Sequence, residues 1–207
     1  MNIGGVLMLA FVGSLAQSAA AQAAYAVSYT QLFSFITFTS VGLMGATAAV
    51  AGQNLGAGKP ERVTGAVHAA ARFGLIVAAF VGMFFLFIPQ QLLAIFGMTE
   101  PEVVEIGVLL LRILSLSGLF VTVALTYTGG LQGTGDTKSP LYISIISQVI
   151  IPLGICFILQ YTCTLEPWHI WLAILAGHMS RSVLSIVRFN QGNWRDINVD
   201  IDMTEAG

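Results

Sequence analysis

The chain has very few charges for its length. Only 9% of its 207 residues are charged, whereas 56% are apolar, and the mean hydropathy is +0.84. A water-soluble domain of this size cannot cover its surface with so little polar material. The sequence therefore predicts a protein embedded in lipid, and the lipid bilayer is the first partner that we expect.

Other absences exclude whole classes of function. The formal net charge is only -2 and no run of Lys or Arg occurs, so we expect no nucleic-acid partner. The three histidines, His68, His169 and His178, are scattered without metal-ligand spacing. We therefore predict no metal site, no cofactor and no catalytic residues. A membrane enzyme is the least favoured reading, because no buried cluster of His, Asp and Glu is expected.

Long apolar runs fill most of the chain. A bilayer core about 30 Å thick requires about 20 mostly apolar residues per helix. Charges, prolines and glycines divide the sequence into segments at 3–21, 25–51, 63–88, 103–125, 141–160 and 170–187. We predict an all-α integral membrane bundle of six transmembrane helices over residues 1–189, followed by a short polar tail over 190–207. We expect the first helix to lack its N-terminal flank; a cleaved signal peptide is the alternative for this segment.

The basic residues favour one orientation. They cluster around the second connection, the fourth connection and the end of the chain: Lys59, Arg62, Arg72, Lys138, Arg181, Arg188 and Arg195. The third and fifth connections carry Glu instead. Because Lys and Arg are retained on the cytoplasmic side, we predict that both termini are cytoplasmic, in a cell inner (plasma) membrane.

Polar side chains within the segments are sparse. Asp and Glu are absent from the central part of every segment, so the carboxylate that proton- or sodium-driven transporters usually employ is expected elsewhere. Gln31 with Phe35, one turn apart, and Thr126 with Tyr127 combine aromatic faces with hydrogen-bonding groups. Such groups hold drug-like cations and amphiphiles. We predict these four as substrate-binding residues, with hydrogen bonding between helices as the alternative role.

Two features predict how the helices bend and meet. Pro152 lies near the middle of the fifth segment, where a missing backbone N–H kinks a helix. Small residues four apart mark close helix contacts in lipid. Gly118, Thr122, Thr126 and Gly130 form such a face along the fourth segment.

Glycine-rich connections follow the second and fourth segments. The first of them is not a phosphate-binding loop, because Gln53 and Pro60 occupy positions that require Gly and Ser or Thr. We predict that Gly56 and Gly58 cap one helix in left-handed conformations and that Pro60 begins the next. In the other connection, Asp136 is expected to cap a helix or to pair with Lys138. The predicted structural loop residues are Gln53, Gly56, Gly58, Gly133, Gly135 and Asp136.

Both connections resemble those of the multidrug and toxic compound extrusion (MATE) transporters. The resemblance is carried, in the order of the family, by residues 52–58, 111–114, 130–137 and 188–194. The family has twelve helices in two six-helix lobes around a central cavity, and this chain resembles the C-terminal lobe. The resemblance implies that the first, second and fourth segments border the cavity.

The resemblance also implies a function. It implies the C-terminal half of a secondary exporter that works by alternating access, takes small cationic or amphipathic substrates, is coupled to H⁺ or Na⁺, and has the N-terminal lobe as its partner. One alternative is a lipid-linked precursor flippase of the same superfamily, whose cavity would carry more cationic residues than Arg112 alone. The other is a non-transporting fragment or assembly partner, which the missing half favours.

Overall fold

The chain is helical throughout most of its length. The computed structural model describes residues 3–196, without the side chains of residues 3, 4, 6 and 196. Its α-helices are α1 (Ile3–Gly13), α2 (Ser18–Tyr25), α3 (Ser34–Gly56), α4 (Pro60–Phe87), α5 (Pro89–Ile95), α6 (Pro101–Gly133), α7 (Lys138–Ile145), α8 (Ile151–Thr162) and α9 (Pro167–Asn190). Two π-helical segments, Ala26–Leu32 and Ile146–Ile150, precede α3 and α8. The described residues contain no strand, which confirms the all-α prediction.

Within residues 3–196, five helical stretches are long and apolar enough to cross a membrane: Ser18–Gly56, Pro60–Phe87, Pro101–Gly133, Lys138–Thr162 and Pro167–Asn190. They correspond to five of the six predicted segments. The first predicted segment, 3–21, is not one helix, because α1 ends at Gly13 and α2 begins at Ser18. The Ser14 hydroxyl donates to the Phe11 carbonyl (2.7 Å), a local bond that competes with helix continuation. With 11 residues, α1 is only about 16 Å long.

The central element of the bundle is α6. It is 33 residues long, most of its surface is buried, and α3, α4 and α9 pack against it. The predicted small-residue face is a contact face: the hydroxyls of Thr122 and Ser40 lie 2.7 Å apart. A second face, which the sequence analysis missed, brings the backbones closer still. A Cβ atom on Gly133 would lie 2.2 Å from the carbonyl oxygen of Ala48.

The helix is irregular next to Pro152, where the sequence predicts a disturbed hydrogen-bond pattern. The π-helical segment Ile146–Ile150 immediately precedes it, as expected where a proline cannot donate to the preceding turn. The buried ring of Pro152 faces Gly177 of α9, where a Cβ atom would lie 2.8 Å from its Cγ. The π-helical segment therefore lies where this helix contacts Gly177 of α9.

The connections 56–60 and 133–138 and the segment 190–196 meet at one end of the bundle, called the Gly58 end below. Gly58, Gly135 and Gly192 have φ values of +70°, +92° and +76° there, and Pro60 begins α4 as predicted. Gly56 remains in the last turn of α3, so the prediction of a left-handed cap at that residue is wrong.

The first part of the predicted polar tail is folded. A 3₁₀ turn spans Asn193–Asp196, and the buried indole of Trp194 donates to the Phe189 carbonyl (2.8 Å). Residues 197–207 of the tail, including Asp200, Asp202 and Glu205, lie outside the described residues.

Candidate functional site

The four predicted substrate residues occupy two different environments. Gln31 is exposed, and the side chain of Phe35 is 61% exposed, on the outer surface of the bundle. Thr126 and Tyr127 are buried in α6, where the Thr126 hydroxyl donates to the Val123 carbonyl (2.9 Å). The structure therefore does not bring the two pairs together, and the outer pair is the one accessible to a ligand.

The outer surface that contains Gln31 and Phe35 runs along the start of α3. We call the exposed residues Gln31, Phe35, Phe38, Gly42 and Gly45 the α3 face. Cβ atoms on its two glycines would meet no atom within 4 Å. The face thus combines an amide, aromatic rings and open space.

The outer surface of α4 is different. Between residues 73 and 87 its exposed side chains are all apolar: Phe73, Ile76, Ala79, Phe80, Met83, Phe84, Leu86 and Phe87. Such a surface suits contact with lipid tails, whereas a membrane-embedded amide needs a protein partner or water. The contrast makes the α3 face, rather than α4, the candidate surface for a ligand or another protein segment.

A row of aromatic rings lies inside the bundle. Tyr25, Tyr29 and Phe33 follow at four-residue intervals, so they share one face of the helix. The ring centroids of the two tyrosines are 4.9 Å apart, and those of Tyr29 and Phe33 are 5.5 Å apart. From α9, the His178 ring stacks 5.8 Å from Phe33 and 6.4 Å from Tyr29. The four-residue spacing was the sequence signal for this row, and it was missed.

A partly open cavity of about 120 Å³ adjoins these rings. It lies where α1, α2, α8 and α9 approach the π-helical segment Ile146–Ile150. Its lining residues are Gly5, Met8, Tyr25, Tyr29, Ser147, Gln148, Pro152, Ile174, Gly177 and His178. The lining therefore combines the rings of two tyrosines with hydroxyl, amide and imidazole groups.

A single arginine lies beside this cavity. Arg181 follows His178 by three residues on α9, and its Nη2 donates to the Ser144 hydroxyl (3.4 Å). Its Nε atom is buried without a hydrogen-bond partner. In the sequence, Arg181 served only as one of the basic residues that indicate the cytoplasmic side, although it falls within the predicted segment 170–187. The structure shows it half-buried, with its side chain directed to Ser144 of α7.

The Gly58 end is fixed by a carboxylate. Asp136 accepts from the backbone N–H of Ser139 (3.0 Å) in the first turn of α7, where Thr137 is the N-cap residue. Its ion pair is with Nη2 of Arg188 (2.9 Å) rather than with Lys138. Partial burial raises the pKa of Asp136, but the hydrogen bonds from Ser139 and the Arg188 charge outweigh it and hold the pKa below its ordinary value.

A wide groove of about 890 Å³ opens at the opposite end of the bundle. Glu102, Glu105 and Glu166 line it, and so does Arg112, which is exposed. Over the described residues the ion pair of Arg188 is the only one, so Arg112 and Glu105 do not form a salt bridge. Arg112 therefore belongs to an acidic groove rather than to a basic pocket, and this weakens the flippase alternative.

The sequence and the fold of this chain match those of known proteins. The family model described as MatE matches residues 1–158. The chain belongs to the MatE family. The resemblance of the two glycine-rich connections to this family is thereby confirmed.

Relatives of the MatE chain are considerably longer. This chain is 29% identical over 153 residues to the probable multidrug resistance protein NorM of Thermotoga maritima, and the match covers 74% of this chain and 33% of that protein. It is 29% identical over 130 residues to the probable multidrug resistance protein YoeA of Bacillus subtilis, covering 63% of this chain and 28% of that protein. The chain thus spans about a third of the length of the curated relatives that it matches.

The fold is also that of a solved MATE transporter. The eukaryotic MATE transporter AtDTX14 superimposes with a TM-score of 0.80 at 21% identity, covering 93% of this chain and 42% of that one. The MatE chain is therefore an integral membrane protein with the fold of one part of a transporter. Of its predicted loop residues, Gln53 is exposed in the last turn of α3, while Gly133 and Asp136 make the contacts described above.

Proposed function

We propose that the MatE chain is the C-terminal lobe of a secondary exporter that moves cationic or amphipathic drug-like compounds in exchange for H⁺ or Na⁺. The observation that carries this proposal is the α3 face, an uncovered surface with an amide and aromatic rings that differs from the apolar outer surface of α4. Family membership supports transport, and the length of the relatives supports a second lobe opposite this face.

In this proposal the α3 face is one wall of the transport cavity. The amide of Gln31 hydrogen-bonds the compound, and the ring of Phe35 supplies an aromatic face for a cation or an apolar group. The buried Thr126 and Tyr127 serve substrate binding only indirectly, because they set how α6 supports the wall. The N-terminal lobe provides the opposite wall and the coupling carboxylate, and the two lobes alternate between inward- and outward-facing arrangements.

The proposed orientation places the Gly58 end in the cytoplasm of a cell with an inner (plasma) membrane. Lys59, Arg62 and Arg188 lie at or near that end, whereas the acidic groove with Glu102 and Glu166 lies at the other. Retention of basic residues on the cytoplasmic side supports this assignment.

Efflux of a fluorescent cationic dye tests the proposal. Cells producing this chain alone are compared with cells that also produce a matching N-terminal lobe, and membrane insertion is checked in both. We expect efflux only when both lobes are present. Within that pair, Q31A and F35A should reduce efflux several-fold, whereas F80A on the lipid-facing surface of α4 should leave it unchanged.

One competing function is a non-transporting assembly partner. It is favoured by the lack of a carboxylate in the helix interiors of the described residues, since an uncoupled lobe cannot drive export. Stable insertion and co-purification of the two lobes without dye efflux would support this competitor and contradict the exporter.

A further inference from the structure

Arg181 is an unusual residue for its position. It lies nine residues before Asn190, the last residue of α9, and therefore about 13 Å along the axis from the Gly58 end of that helix. Its side chain turns inward to Ser144. A cation at this depth in a membrane bundle is costly unless it is paired or serves a ligand.

No carboxylate of the described residues balances this charge. Asp136 is engaged by Arg188, and Glu61 and Glu102 lie in the first turns of α4 and α6, away from the interior. A guanidinium remains protonated under all physiological conditions. An anionic group is therefore needed to balance the charge of Arg181, and the described residues do not supply one.

The groups around Arg181 suit a carboxylate carried on a small aromatic or apolar body. Arg181 lies one turn after His178 on α9, and both His178 and Tyr29 line the adjoining cavity. The Nδ1 atom of His178 is buried without a hydrogen-bond partner, as is Nε of Arg181. A carboxylate can accept from both groups. The stacked rings of Tyr25 and Tyr29 offer faces for an aromatic ring.

The size of the cavity limits the ligand. Its volume is about 120 Å³, and buried apolar cavities of roughly 150 Å³ hold a benzene-sized molecule. A single aromatic ring is therefore the size of apolar body that matches the cavity.

We infer that Arg181, with Ser144 and His178, forms a binding site inside the lobe for a small monocarboxylate whose apolar body occupies the cavity beside Tyr25 and Tyr29. This site is separate from the α3 face and does not depend on the proposed export of cations. Arg181 supplies the charge and the hydrogen bonds, and the tyrosines supply the apolar wall.

Thermal unfolding of the purified full chain in lipid nanodiscs, titrated with benzoate, tests this inference. Benzamide, which has nearly the same shape but no charge, is the ligand control. R112Q is the matched variant control, because Arg112 is exposed in the acidic groove. We expect benzoate, but not benzamide, to raise the unfolding temperature of wild type and R112Q saturably. In R181Q the apparent affinity should fall at least tenfold.

R181Q should fold, because it removes an unbalanced, half-buried charge. If R181Q does not fold, R181K is the alternative variant, because it keeps the charge but lacks the planar guanidinium that binds a carboxylate through two hydrogen bonds. Its benzoate affinity should lie below that of wild type. Retention of radiolabelled benzoate by wild type in equilibrium dialysis provides a second measurement. Absence of any benzoate effect on wild type, an equal effect of benzamide, or unchanged affinity in R181Q would each overturn the inference. None of these results bears on dye efflux through the α3 face.

Discussion

At the residue scale, one carboxylate joins the connection after α6 to the end of α9. Oδ2 of Asp136 accepts from Nη2 and Nε of Arg188 (2.9 and 3.0 Å) and from the Ser139 hydroxyl (2.7 Å). Asp136 is only 6% exposed, whereas Arg188 is 30% exposed. The pair is therefore shielded enough for its hydrogen bonds to stabilise the fold.

We expect D136N to lower the free energy of unfolding by about 1–3 kcal/mol at pH 7, because it leaves Arg188 and Ser139 without their charged acceptor. Thermal unfolding in detergent measures the effect. E61Q is the control, since Glu61 is exposed at the same end and forms no ion pair.

The same pair predicts a pH dependence. The pKa of Asp136 is lower in the folded chain than its ordinary value of 3.8, so its stabilisation is present above that value and is lost as pH falls through the folded pKa. The stability difference between wild type and D136N should stay constant from pH 7 to 5 and shrink below about pH 4. A difference that vanishes already between pH 7 and 5 would contradict this account.

At the element scale, the contact between α3 and α6 depends on glycine. Cβ atoms on Gly129 and Gly133 would lie 2.3 Å and 2.2 Å from the carbonyl oxygens of Met44 and Ala48. These are backbone atoms, so the helices would have to move apart. Small residues that permit close approach are the usual means of helix association in lipid.

We predict that G133A destabilises the bundle by about 1–3 kcal/mol, the usual range for overpacking. G45A is the matched control within α3, because its new Cβ atom would meet nothing within 4 Å. It should be neutral or slightly stabilising, since Ala favours a helix over Gly. Unfolding temperatures of the two variants, measured side by side, check the prediction. Equal behaviour would show that the helices do not approach as closely as described.

Element boundaries were predictable where the chain carries strong local signals. Pro60, Pro101 and Pro167 each begin a helix, and Gly58 and Gly135 end the preceding ones. These residues act through their own backbone conformation, which requires no knowledge of distant contacts.

Features that depend on the packing of distant segments were not predictable. The break between α1 and α2 is an exception, because Gly13, Ser14 and Gln17 mark it locally and the division by hydropathy passed over them. The burial of Thr126 and Tyr127 depends on how α6 is rotated within the bundle. The inward position of Arg181 likewise depends on which face of α9 meets α7, and a count of basic residues does not specify that face.

At the scale of the whole molecule, the bundle has one surface suited to lipid and another suited to a partner. The lipid-facing side chains of α4 include Phe80 and Phe87, 57% and 77% exposed, without polar neighbours between residues 73 and 87. On the α3 face Phe38 is 75% exposed, but it shares its surface with Gln31 and open glycines. The proposed export function requires that the α3 face border an aqueous transport cavity.

Accessibility of single cysteines to a water-soluble maleimide tests that claim most directly. The chain carries C156A and C163S to remove its two native thiols, and F38C or F80C is introduced in cells that also produce the N-terminal lobe. We predict that F38C is labelled, that the cationic dye slows its labelling, and that F80C remains unlabelled because lipid covers it. Labelling of F38C as slow as that of F80C would contradict the claim and place the α3 face in lipid or in a dry contact.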